Sequence, residues 1–196
     1  MAKAALRLGA AWLVAARLLA AAVPGLPAWV VMAGTVAAAV PVIERVVTPA
    51  EVLAVLGAVP AWAVLRRWRH RDWVLLAVML GVVLAEGLAP YRLAAVPHAF
   101  GWLPFGPLLR GQYAAGVQAV LLKAFLYGGL LWLGAQCGLR RGGVAVVALA
   151  LAVSLAQTRL PDRSADITDA TLALCLAVVL RPGLRPRDRG GWGGTD

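Results

Sequence analysis

The feature that most limits the fold of this chain is an alternation. Apolar runs such as "GGVAVVALALAVSLA" (142–156) are separated by short arginine clusters such as "RRWRHR" (66–71) and "RR" (140–141). A helix on the surface of a soluble domain keeps one polar face for water. Runs this uniform leave no such face, and they read as helices immersed in lipid. Composition agrees: 62% of the residues are hydrophobic and 14% charged, against roughly half and a quarter in soluble domains. The mean hydropathy is +0.81. The expectation is an all-α, polytopic membrane helical bundle, one compact body rather than two soluble domains.

The apolar runs predict six transmembrane helices: Leu26 to Ile43, Val52 to Leu65, Trp73 to Ala89, Ala114 to Gln136, Val144 to Thr158 and Ile167 to Leu180. The second and sixth fall short of the ~17 residues a span requires. They borrow polar flanking residues, tilt little, or are re-entrant.

The net charge of +10 raises nucleic acid as a partner, but the basic residues punctuate apolar runs instead of forming a patch, so no nucleic-acid binding is expected. With six spans, thirteen basic residues fall on one side (Lys3, Arg7, Arg17, the 66–71 and 140–141 clusters, and Arg181, Arg185, Arg187 and Arg189). Five fall on the other: Arg45, Arg92, Arg110, Arg159 and Arg163. The richer side is cytoplasmic, which puts both termini of a multi-pass protein inside.

Residues 1–25 carry Lys3, Arg7 and Arg17 within about 80° of helical arc. Arg17 interrupts any cleavable signal core, so the segment reads as a basic-edged helix lying on the inner membrane surface. The rival is a first spanning helix that buries Arg17 at a cost in lipid. Residues 26–90 form the N-terminal spans, 91–182 a second transmembrane region, and 183–196, "GLRPRDRGGWGGTD", a disordered cytoplasmic tail that touches anionic lipid. Cys137 and Cys175 lack the spacing of a metal or redox motif and read as small apolar fillers. The tryptophans near span ends, Trp62, Trp68, Trp73, Trp102 and Trp132, read as an interfacial belt.

Two places depart from this pattern. The long outer connection has no charge from residue 93 to 109 and contains His98, Phe100, Trp102, Pro104 and Phe105. Its prolines at 97, 104 and 107 prevent a regular helix, and bare backbone cannot face lipid. It therefore lies at the outer interface or packs over the bundle, as a structural cap or as a ligand-lining loop.

The second is "QTRLPDRSADITD" (157–169), five charges between two apolar runs. Pro161 ends one helix. Asp166 is a good N-cap for the next, with Asp169 at its third position, as in a capping box. Capping needs no arginine, so Arg163 points to a further ion pair or a phosphate contact. Lys123 lies inside the fourth run. Side chains tilt toward a helix N-terminus, so its ammonium snorkels outward, free or paired with Asp169 or Asp166.

These residues resemble the C-terminal signature of the VanZ-like membrane proteins: Gln157, Pro161, Arg163, Asp166 and Asp169 match in order. "WLPFGPLL" (102–109) and "LLKAFLYGGLLW" (121–132) resemble the family's Pro-Phe segment and glycine-bearing apolar helix. The resemblance covers about residues 98 to 180. Ser154 stands where the family usually has Glu, Asp162 replaces a turn glycine, and Ala173 and Leu176 replace a common Asn and Gly. The family's name-giving member is linked to resistance to teicoplanin, a lipid-bearing glycopeptide antibiotic. The resemblance implies an envelope protein that binds or shields an amphiphile at the outer leaflet.

Nucleophile-elbow, zinc-protease and phosphate-loop motifs are absent from the sequence. Asp162, Asp166 and Asp169 could hold Mg²⁺ with substrate phosphate, but adjacent arginines disfavour a bare metal cage. The expectation is a non-enzymatic protein without metal or cofactor. Its partners are membrane lipid and an anionic lipid-linked amphiphile, contacted by Gln157, Arg163, Asp166, Asp169 and Lys123 and lined by His98, Phe100, Trp102, Pro104 and Phe105. Two alternatives stay open: an accessory subunit of surface-polysaccharide or protein-sorting machinery, and a membrane enzyme acting on lipid-linked phosphate or sugar.

Overall fold

A computed structural model describes residues 2–22, 49–92, 94, 96–97, 99–105, 113–161 and 165–181. The described residues form helices and connections, with one isolated backbone bridge and no strand. The helices are α1 (Ala2–Ala22), α2 (Pro49–Leu65), α3 (Arg71–Leu88), α4 (Tyr113–Gln136), α5 (Gly142–Gln157) and α6 (Thr168–Leu180). The expected run 26–43, the tail 183–196, His98 and Arg163 lie outside the described residues. The chain divides into two compact units, with the division inside α3 after Val83.

In the first unit α1 packs on α2. Ala54, Ala58 and Trp62 recur every four residues on α2 and are buried, as are Ala10, Val14 and Ala16 on α1. Small side chains let the two backbones approach closely. Arg17, expected on a basic helix edge or buried in a first span, has a protein partner. Its guanidinium is mostly buried and grips the Asp72 carboxylate of α3 with two hydrogen bonds, 2.7 and 3.3 Å. A paired arginine is far cheaper to bury than a bare one. Trp62 is also buried, whereas Trp68, Trp73 and Trp102 are exposed.

In the second unit α6 packs against both α4 and α5, and α4 also touches α5. Leu126, Leu130, Leu133 of α4, Val146, Ala150, Val153 of α5 and Ala170, Ala173 of α6 are buried at helical spacing. The α4–α5 turn is closed by Gly138 at φ 78°. Its N–H donates to the Ala135 carbonyl and that of Leu139 to Gly134, the paired bonds that end a helix on a left-handed glycine. Gly87, at the end of α3, meets α5 so closely that a Cβ there would lie 2.3 Å from Val153 Cγ1.

One described helix, Gly116–Gln136 within α4, is long and apolar enough to cross a membrane. The segments Gly9–Leu18, Val52–Leu65, Gly142–Gln157 and Thr168–Leu180 are apolar but shorter. Within α3, Arg71, Asp72 and Glu86 interrupt the apolar run.

Candidate functional site

The middle of α4 meets the N-terminus of α6 through Lys123, Tyr127 and Asp169, and described residues of the segment 94–105 lie over the connection between α5 and α6. The cover is stitched on through its backbone. Ala94 N donates to the Arg159 carbonyl at 2.8 Å and Gly101 N to that of Ala165 at 2.8 Å. Ile167 N returns a 3.0 Å bond to the Gly101 carbonyl, so Gly101 and Asp166 form a one-residue parallel bridge. The proline-rich connection cannot satisfy its own amides in a helix, and those of Ala94 and Gly101 are satisfied on the α5–α6 connection instead.

Two details hold the cover. A Cβ on Gly101 would sit 3.3 Å from Asp166 Cβ, so the approach of the two backbones favours glycine. Phe105 adopts a left-handed φ of 59°, and its N–H donates to Thr168 Oγ1 at 2.9 Å. Phe100 and Trp102 make an edge-to-face contact at 5.0 Å. Pro104 and Phe105 are half-buried, while Val96, Trp102 and Leu103 point outward, Trp102 being 75% exposed.

Among the described residues of the motif, Asp169 is the most buried charge. Its carboxylate accepts from Lys123 Nζ on one oxygen and from Tyr127 Oη at 2.9 Å on the other. Lys123 and Tyr127 are one helical turn apart on α4 and so share a face. The Asp169 side chain is 5% exposed, that of Lys123 40%. Of the two aspartates considered as partners of Lys123, the bond goes to Asp169. A buried carboxylate needs both a counter-charge and filled lone pairs, and this pair of donors supplies them.

Only the capping-box part of the expectation is corrected. The residue preceding α6 is Ile167, with no side-chain cap, and Asp169 is the second residue of the helix. Asp166 Oδ1 accepts from Thr168 N at 3.0 Å, a local turn that satisfies the first helical amide one residue early. Asp169 does not close a capping box because both its oxygens are taken up by α4. It still lies where a negative charge complements the helix dipole.

Gln157 is buried at the end of α5, and its Nε2 donates to the Gly87 carbonyl at 3.0 Å. One turn earlier, Ser154 is 1% exposed and its hydroxyl has no hydrogen-bond partner. The two cysteines differ in setting: Cys137 is half-buried, while Cys175 is exposed and fills no core position. Sequence reasoning missed Tyr127, Thr168, Gly87 and Gly101. Tyr127 had a usable signal, four residues after a lysine inside an apolar helix. The roles of the others depend on contacts between segments distant in sequence.

Comparisons of the chain with protein-family models, with curated proteins and with solved structures return no match.

Proposed function

We propose that this chain is a multi-pass, VanZ-like membrane protein of the bacterial cytoplasmic membrane that holds an anionic amphiphile at the outer leaflet. The observation that carries this reading is the Gly101–Asp166 bridge. It joins an apolar, outward-facing segment (Val96, Trp102, Leu103) to the charged α5–α6 connection. An amphiphile has the same two parts. Its apolar chain would lie against Trp102 and Leu103, and its head group would meet the polar connection. Arg163, three residues before Asp166 in sequence, is the cation assigned to the head group. The Lys123 ammonium already has Asp169 as its counter-charge. Asp166 and Asp169 orient the connection, and no bond-making step is assigned to them.

Support for a membrane setting comes from the outward faces of the short helices. Leu53, Leu56 and Val64 on α2, Val144 and Leu155 on α5, and Val178 and Val179 on α6 are exposed. Apolar exposure repeated on several helices suits lipid rather than water. The six-span topology with both termini inside remains part of this proposal.

The test is a strain lacking the protein, challenged with lipoglycopeptides and complemented with wild type or Arg163→Ala at matched membrane levels. Wild type is expected to restore tolerance and Arg163→Ala to fail. Equal sensitivity in all three strains would sink the head-group reading.

A further inference from the structure

At the end of the second unit opposite the motif lies a groove of about 820 Å³. It runs between the end of α4, the α4–α5 turn, the start of α5 and the end of α6. Arg140, Arg141 and Arg181 line it, with no acidic residue among the lining side chains. None of the three makes an ion pair with a described residue. The start of α5 lines the groove with no side chain capping it; the Gly142 N–H donates to the Leu139 carbonyl at 3.1 Å and the Ala145 N–H to that of Arg141 at 3.0 Å, which leaves the amides of Gly143 and Val144 as its donors. The remaining walls are aliphatic, and Leu139, Val144, Leu174 and Val178 are exposed there.

We infer that this groove binds an anionic phospholipid of the cytoplasmic leaflet. The phosphate would sit among the three guanidiniums and the α5 amides, and an acyl chain would lie along Val144, Val147, Leu174 and Val178. Guanidiniums recognise phosphate through charge-assisted hydrogen bonds, and a helix start adds backbone donors. A soluble phosphate would leave the aliphatic walls wet, which favours a lipid. The chain's own tail is a poor occupant, because 182–196 carries Arg185, Arg187 and Arg189 against Asp188 and Asp196. The inference uses the membrane orientation proposed above but not the outer-leaflet site.

Native mass spectrometry of the detergent-purified full chain, supplied with phosphatidylglycerol or phosphatidylcholine, tests it. Wild type should retain one phosphatidylglycerol at least tenfold more tightly than phosphatidylcholine. Arg140→Gln/Arg141→Gln/Arg181→Gln should weaken that retention on the order of a hundredfold. Val147→Trp, which fills the groove without touching a charge, should also weaken it. Arg66→Gln/Arg67→Gln, in the other basic cluster, should retain the lipid as wild type does. Equal retention of both lipids, unchanged retention by the triple variant, equal loss in the Arg66/Arg67 control, or displacement of the lipid by millimolar inorganic phosphate would each overturn the inference. A chain recovered without detergent would refute the membrane reading itself, independently of the lipid result.

Discussion

Lys123 and Asp169 form an ion pair that joins the interior of α4 to the first turn of α6, with Tyr127 on the second carboxylate oxygen. The acid is buried and the base is half-exposed. Removing one partner should therefore cost more than removing both. Lys123→Met leaves an uncompensated buried carboxylate and should destabilise the fold by about 3 kcal/mol. Lys123→Met/Asp169→Leu should recover most of that loss. Reversible unfolding in mixed micelles measures the double-mutant cycle. Additive losses would mean that the pair contributes no coupling.

Replacing a helical glycine with alanine ordinarily stabilises by about 0.5–1 kcal/mol. Gly87→Ala should do the opposite, because the added methyl would meet Val153 Cγ1 at 2.3 Å. Valine is stiff at χ1 and cannot simply turn away. A loss of about 1–3 kcal/mol is expected, accompanied by a weaker Gln157–Gly87 bond. Gly87→Ala/Val153→Ala should restore stability relative to Val153→Ala alone, as read by the same unfolding assay.

The cover should depend on Thr168. Its hydroxyl accepts from the Phe105 amide, so Thr168→Val removes that acceptor and should cost about 1–2 kcal/mol. Because the loss falls on the cover, limited proteolysis should cut within 99–105 faster than in wild type. Thr168→Ser keeps the acceptor and should be cut at nearly the wild-type rate.

Ser154 gives a prediction of opposite sign. Its buried hydroxyl has no partner, so it contributes desolvation cost without a compensating bond. Ser154→Ala should raise stability by about 1 kcal/mol and leave lipoglycopeptide tolerance unchanged. Loss of tolerance at normal membrane levels would assign that hydroxyl a functional role.

The proposed topology is open to direct labelling. In a Cys137→Ala/Cys175→Ala background, single cysteines at Trp68, Trp102 and Gln136 probe three exposed positions. A membrane-impermeant maleimide applied to intact spheroplasts should label only the Trp102→Cys protein. Labelling at Trp68→Cys or Gln136→Cys would reverse the orientation.

Apolar runs and arginine punctuation were enough to foresee α2 to α6 within a few residues, because a helix without a polar face has few other ways to be soluble in its surroundings. They also marked Lys123 as a charge that either snorkels outward or pairs with Asp166 or Asp169, since an ammonium in an apolar helix is costly. Arg17 was legible as costly too, but its partner Asp72 lies 55 residues away, and periodicity says nothing about such pairs.

What the sequence by itself determined, then, is local: the helices, the chain break at Pro161, and the positions where polar groups interrupt apolar runs. Tertiary structure decided how those groups are satisfied. It turned Asp169 from the expected second acid of a capping box into the counter-ion of Lys123, left the local amide bond with Asp166, and used Gly101 to fasten the proline-rich segment over the motif. The physical reason is that propensity and hydropathy act over one or two helical turns. The cost of a buried charge or an unpaired amide is instead relieved by whichever donor the packed helices bring within about 3 Å.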